Sequence, residues 1–127
     1  MTRLLIVCLG GAFGSGARYL LSTWVARVAP SAFPAGTLAV NALGSFFIAL
    51  VMHVGLSTEA ISPMWRLGLT TGVLGGFTTY STFNYETTEL LREGATGLAF
   101  ANLAATLAVC LVAGFLGLAL GKWLTGR

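Results

Sequence analysis

The sequence predicts an all-α integral membrane protein, and three observations support this fold class. First, 56% of the residues are hydrophobic and only 9% are charged, with a mean hydropathy of +0.85. A soluble domain carries about 25% charged residues, which keep its surface hydrated. Second, a chain of only 127 residues cannot hide so much apolar surface from water, because small domains expose the most surface per residue. Third, its apolar segments reach the roughly 20 residues that a helix needs to cross the hydrocarbon core.

Four apolar segments are separated by short polar or proline-containing breaks, and each is long enough for one transmembrane helix. They cover approximately residues 4–28, 36–56, 64–91 and 95–123. Pro30 and Pro34 follow the first segment and end it, because proline lacks the N–H group that a continuing helix needs. We therefore predict a single four-helix transmembrane domain over residues 1–127, with both termini on the same side of the membrane.

The charged residues indicate only a weak preference for one orientation in the membrane. The net charge is +3, and the scattered Lys and Arg residues form no run that would bind nucleic acid. Two basic residues fall on the loop side opposite the termini, and Arg18 lies inside the first segment. With so small a bias, the chain could insert in both directions, and we hypothesise an antiparallel homodimer. The basic residues on the side of the termini are Arg3, Arg66, Lys122 and Arg127.

The titratable residues argue against enzymatic activity. The chain has one His and no Asp, so it offers no Ser/His/Asp set, and no cluster has the spacing of metal ligands. The informative residues are instead those that break the apolar pattern, because polar groups persist inside a membrane only where they face protein or a water-filled path. In the first segment, Gly10 and Gly14 have the spacing that lets two helices approach closely.

Two of the predicted helices carry polar residues at every fourth position, which places each set on one helix face. Hydrogen bonds between helices are the simplest explanation for any single Thr or Ser in these sets. For Asn41, whose amide would be buried deep within a span, we favour a functional role. The second segment carries Thr37, Asn41 and Ser45, and the fourth carries Asn102, Thr106 and Cys110.

The third segment contains the most unusual stretch, GVLGGFTTYSTFNYE at residues 72–86. Gly75 and Gly76 are followed by Thr and Ser residues, a combination that disfavours a continuous helix, so we predict a break here. Discontinuous helices form ion and substrate sites in transporters, because they release backbone N–H and C=O groups within the membrane. Tyr80 and Phe83 follow the break, and the positive edges of their rings could face an anion. Packing against lipid or protein is the alternative role for this aromatic pair.

At these residues the sequence resembles the Fluc (CrcB) family of fluoride channels. GGAFGSGARY at residues 10–19 is similar to the family pattern GGxxGAxxRY, with Ser15 where alanine is usual. GTLAVNALGSF at residues 36–46 is similar to GTLxVNxxGsF, and GVLGGFTTYSTF at residues 72–83 is similar to GxxGGxTTFSTF. The three motifs occur in the family's order, and the similarity extends over the whole chain.

The resemblance implies a multi-pass protein of the cell (inner) membrane that forms a dual-topology antiparallel homodimer with two fluoride pores. It implies a structural Na⁺ at the dimer interface, held by backbone carbonyls that match Gly75 and Thr78 of both subunits. It also matches Arg18 to an arginine near the vestibule, and Glu86 to a carboxylate whose role the sequence does not define. The implied pore residues are Asn41, Tyr80, Ser81, Thr82, Phe83, Thr106 and Cys110.

Two positions depart from the family pattern. Tyr80 replaces the first phenylalanine of the third motif, which adds a hydroxyl group to that ring. Cys110 replaces a hydroxyl residue of the fourth segment, and a thiol is the weaker hydrogen-bond donor. We expect both changes to affect the conduction rate more than the selectivity.

The function that these features predict is passive export of fluoride down its electrochemical gradient. The main alternative is a small dual-topology multidrug exporter coupled to protons, which also has four spans. Such an exporter requires a carboxylate in the first span, and this first span has none. A structural subunit without transport activity is a third possibility, but it would leave the polar stripes and the predicted break unexplained.

Overall fold

The computed structural model describes residues 1–127, and all of its regular elements are helical. Three helices are long and apolar enough to cross a membrane: α1 (Thr2–Val28), α2 (Ala35–Ser57) and α6 (Thr96–Thr125). They match the first, second and fourth predicted segments to within a few residues at each end. The all-helical fold expected from the sequence is therefore confirmed, and three of the four expected spans are single long helices.

The third predicted segment forms a series of shorter elements instead of one long helix. In chain order these are α3 (Pro63–Leu67), a π-helical stretch (Gly68–Leu74), α4 (Gly75–Phe77) and α5 (Tyr80–Arg92). Between α4 and α5 the backbone is extended, with ψ angles of 157° at Thr78 and 116° at Thr79. The residues that leave the helical conformation are thus these two threonines and not the glycine pair before them.

The glycines of this region serve close packing against α1. A Cβ atom on Gly76 would lie 2.5 Å from the carbonyl oxygen of Gly11, and one on Gly72 would lie 3.2 Å from the Cα atom of Gly10. Gly14 also has no room for a side chain, because a Cβ there would overlap a backbone carbonyl of the π-helical stretch. The close approach predicted from the spacing of Gly10 and Gly14 is therefore confirmed, and small residues make it possible on both sides.

The most extensive helix pair is α2 with α6. Two glycines of α6 allow this contact: Gly117 lies against the backbone of Phe46, and Gly121 lies against the side chain of His53. Only 16 of the 127 residues are buried within the single chain, so most of its apolar side chains face outward. Such an exterior suits lipid or a further protein surface, and it would be unfavourable in water.

Candidate functional site

The extended step at Thr79 is paired with the side chain of Asn41 on α2. The Asn41 Nδ2 group donates to the Thr79 carbonyl oxygen at 2.9 Å, and the Thr79 N–H group donates to Asn41 Oδ1 at 2.8 Å. Thr79 is only 8% exposed, so both of its backbone groups would otherwise be buried without partners. One amide side chain therefore satisfies the backbone at the point where helical hydrogen bonding stops.

The interruption leaves two carbonyl groups next to this pairing without their helical donors. In a continuous helix the Thr79 N–H group would bond to the carbonyl of Gly75, but here it bonds to Asn41 instead. The carbonyl of Thr78 accepts no hydrogen bond, and its usual helical donor, the N–H group of Thr82, bonds to Thr79 Oγ1 at 3.2 Å. Gly75 and Thr78 are the two residues whose carbonyls the family resemblance matches to a Na⁺ site. Unpaired backbone oxygens are suitable ligands for a hard cation, so the residues fit such an ion.

An open groove of about 680 Å³ lies between α2, the extended step, α5 and α6. Five of the seven residues expected to line a pore are found in it, although they come from three different helices. Ser45, Thr78 and Thr79 also line the groove and were not among the expected pore residues. The five expected residues that it brings together are Asn41, Tyr80, Phe83, Thr106 and Cys110.

Ser81 and Thr82, the other two expected pore residues, do not line this groove. Both contact the hydroxyl of Thr79, which lies 3.3 Å from Ser81 Oγ and donates to Thr82 Oγ1 at 2.9 Å. Thr79 is the N-cap of α5, because its side chain accepts the backbone N–H group of Thr82. Sequence reasoning missed the role of Thr79, although a Thr that precedes an aromatic-rich helix is a typical capping signal.

The two aromatic rings beside the groove differ in how firmly this chain holds them. Phe83 is buried at 8% exposure, whereas Tyr80 is 77% exposed. Their ring centroids lie 5.7 Å apart with an angle of 54° between the ring planes. Only the Phe83 ring is thus fixed by packing within the single chain.

A hydrogen-bonded chain of buried side chains holds Phe83 against α6. Asn102, which is 1% exposed, donates from Nδ2 to Thr87 Oγ1 at 2.9 Å, and Thr87 donates to the carbonyl of Phe83 at 2.7 Å. Thr106 donates to Asn102 Oδ1 at 3.4 Å and extends the chain to the groove. Part of the polar stripe of α6 therefore has a structural role. This agrees with the interpretation that such stripes form hydrogen bonds between helices.

Arg18 lies in a separate, smaller cavity of about 220 Å³, which shares Thr79 with the groove. The structure contains one salt bridge, between Arg92 and Glu89, so no carboxylate lies within 4.0 Å of Arg18. An unpaired guanidinium close to a groove attracts anions toward it. The vestibule role that the resemblance implies for Arg18 stays a prediction.

Glu86 lies on α5 and contacts α2 instead of the groove. Thr37 Oγ1 donates to Glu86 Oε1 at 2.8 Å. Thr37, the first residue of the α2 polar stripe, therefore bonds to α5. The second carboxylate oxygen, Oε2, is buried and has no hydrogen-bond partner. Both residues line a cavity of about 310 Å³ beneath the loop that joins α1 to α2.

These features define a helical membrane protein in which a largely apolar groove, carrying a few polar side chains, lies beside an interrupted helix. The family described as "CrcB-like protein, Camphor Resistance (CrcB)" matches residues 5–118 of the chain. The chain belongs to this family, as the three sequence motifs indicated.

Similar proteins are named "Fluoride-specific ion channel FluC". The relative from Anaeromyxobacter sp. (strain K) is 55% identical over 126 residues, which cover 99% of this chain and 100% of the relative. The relative from Geobacter sulfurreducens is 50% identical over 118 residues, covering 93% and 95% of the two chains. That from Sorangium cellulosum is 48% identical and covers 96% of each chain. These relatives match the present chain over nearly its full length.

Proposed function

We propose that the chain is a channel that conducts fluoride passively out of the cell and so gives resistance to this ion. The observation that carries the proposal is the groove in which Asn41, Phe83 and Thr106 meet beside the extended step. Full-length relatives named as fluoride-specific channels support the choice of ion.

The groove offers groups that can replace the water around a fluoride ion. The Asn41 amide has two N–H bonds, and only one of them is used for the Thr79 carbonyl, so the other is free to donate. Phe83 presents a ring whose edge carries partial positive charge, and it is fixed by packing. A permeant ion needs such partial compensation for lost hydration, but it must be held weakly enough to leave.

Electrostatics supply both the capture and the driving force. The unpaired guanidinium of Arg18 raises the local concentration of anions near Thr79. An inside-negative membrane potential favours outward movement of an anion by about 2.3 kcal/mol per 100 mV. No nucleotide or coupled proton is required for this direction of transport.

We propose that the functional unit is an antiparallel homodimer in the inner membrane. Tyr80 is 77% exposed although it lines the groove, so a second subunit could cover the side that one chain leaves open. The small difference in charge between the two ends of the chain is compatible with insertion in both directions. Cysteine-accessibility labelling from each side of the membrane tests this arrangement, and labelling of an engineered loop cysteine from one side only would refute it.

We further propose a structural Na⁺ bound by the released carbonyls of Gly75 and Thr78 from both subunits. When bound, the ion supplies positive charge that holds these oxygens together. Isothermal titration of the purified protein with Na⁺, with K⁺ as the control ion, tests this site. Equal responses to the two ions would refute a Na⁺-selective site.

Fluoride efflux from proteoliposomes, read with a fluoride electrode, tests the function. We expect Phe83→Ile to abolish efflux, because it removes the ring edge from the groove. Phe100→Ile is the matched control, since that ring lies on α6, is 63% exposed and does not line the groove. Near-normal efflux by Phe83→Ile would remove this ring from the mechanism. Drug efflux coupled to pH would instead support the exporter, and an absence of both activities would support a structural subunit.

A further inference from the structure

A second cationic cavity, of about 500 Å³, lies at the end of the molecule where α1 and α3 begin. The basic residues Arg3 and Arg66 line it, together with the hydroxyl residues Ser62 and Thr70. No carboxylate lines it, and the conduction mechanism described above uses none of its residues.

The charges of this cavity are not neutralised within the chain. Neither Arg3 nor Arg66 has a carboxylate within 4.0 Å, because the one salt bridge of the structure lies at the other end. Arg66 uses Nη1 to donate to the carbonyl of Gly55 at 2.7 Å, at the C-terminal end of α2. That bond fixes the guanidinium in position and leaves most of its five N–H donors free.

The surroundings place this cavity at the level of lipid head groups. Trp65, next to Arg66, is 68% exposed, and tryptophan side chains of membrane proteins concentrate at the interface. Immediately after Arg3, Leu4 and Leu5 are 60% and 61% exposed on α1, which offers an apolar surface for acyl chains. Basic pockets between membrane helices are suited to anionic head groups.

We propose that this cavity binds the phosphate of an anionic phospholipid. Arg3 and Arg66 are its charged ligands. Ser62 Oγ accepts the N–H group of Trp65 at 3.4 Å, so its own proton is free to be donated to a phosphate oxygen. A free phosphate ion shares this chemistry, but the exposed apolar surface beside the cavity favours a lipid as its source. The proposal is independent of fluoride conduction.

Native mass spectrometry of the full-length purified protein tests the proposal. The detergent-solubilised protein is titrated in parallel with phosphatidylglycerol, cardiolipin and phosphatidylcholine. We expect both anionic lipids to bind more tightly than phosphatidylcholine. Arg3→Gln should weaken anionic binding about fivefold, which corresponds to about 1 kcal/mol per basic residue near a membrane surface. Arg3 makes no hydrogen bond or salt bridge within the chain through its side chain, so this variant should fold normally.

Lys122→Gln is the matched control, because Lys122 is an exposed basic residue at the same end of the molecule and lies outside the cavity. The affinity of the Lys122→Gln variant for the anionic lipids should stay within twofold of that of the unsubstituted protein. An equal loss in Lys122→Gln and Arg3→Gln would show a diffuse charge effect and overturn the site. Equal binding of phosphatidylcholine and phosphatidylglycerol would overturn it as well. Displacement of lipid by millimolar inorganic phosphate would assign the cavity to the free ion, and so overturn the choice of a lipid.

Discussion

Replacing Asn41 by Leu tests whether its amide holds the extended step at Thr79. Leucine has a similar branched shape, but it removes both hydrogen bonds, which measure 2.9 and 2.8 Å. A net hydrogen bond contributes about 1 kcal/mol, and a buried backbone group left without a partner costs about 1–3 kcal/mol. Hydrogen bonds between membrane helices contribute on average only about 0.6 kcal/mol to stability, because the donors and acceptors find other partners in the unfolded state. Thr79 is buried and its N–H group has no neighbouring helical acceptor to return to without rebuilding the turn, so we expect a loss of about 2–4 kcal/mol.

Reversible unfolding of the protein in mixed micelles, with SDS as the denaturant, measures this loss. Ser45→Ala is the control, because Ser45 lies one turn further along α2 and donates only to the carbonyl of Asn41 in its own helix, at 2.7 Å. Its free energy of unfolding should change by less than about 0.5 kcal/mol, as for substitutions away from key contacts. If Asn41→Leu and Ser45→Ala changed the free energy of unfolding equally, the proposed role of the amide would be wrong.

Three further predictions concern α6 and its neighbours. Gly117→Ala should lower the free energy of unfolding by about 1–3 kcal/mol, because the added Cβ would overlap a backbone carbonyl of α2. Gly97→Ala is the control and should be neutral or stabilising, since a Cβ at Gly97 meets open space. Thermal melts compare the stabilities of the two variants. A double-mutant cycle of Thr87→Val and Asn102→Leu, measured by unfolding, should give a coupling energy of about 0.5–1.5 kcal/mol. If the two losses of unfolding free energy were strictly additive, the hydrogen bond between these residues would be contradicted. Cys110→Ser places a stronger hydrogen-bond donor in the groove. Fluoride efflux from liposomes should therefore become faster, with chloride still excluded. A slower efflux would contradict a role of residue 110 as a hydrogen-bond donor to fluoride.

The long helices could be predicted from sequence because their cause is local. A bilayer requires roughly 20 apolar residues for each span, and that requirement is visible in any window of the chain. The four-residue spacing of the α2 stripe was equally informative. It placed Asn41 and Ser45 on the face that lines the groove, although Thr37 on the same stripe bonds to Glu86 instead.

That the third segment is interrupted could be predicted from the sequence, but the residues at which the helix stops could not. Glycine is compatible both with a helix break and with close helix packing, and the sequence does not distinguish these uses. Gly76 packs against Gly11 of α1, while the extended residues follow at Thr78 and Thr79. Their location depends on Asn41, which is 38 positions away from Thr79, and no local propensity contains that contact.

The pairing of Asn41 with Thr79 also has a consequence for ion binding. Because the amide satisfies the backbone of Thr79 within one chain, contacts of that chain alone account for the extended step. At the proposed Na⁺ site, the carbonyls of Gly75 and Thr78 would then be preorganised. A cation arriving there would exchange its hydration shell for oxygens that are already unpaired, without first melting a helical turn. Its affinity would then report the arrangement of those oxygens, and not the stability of the surrounding helix.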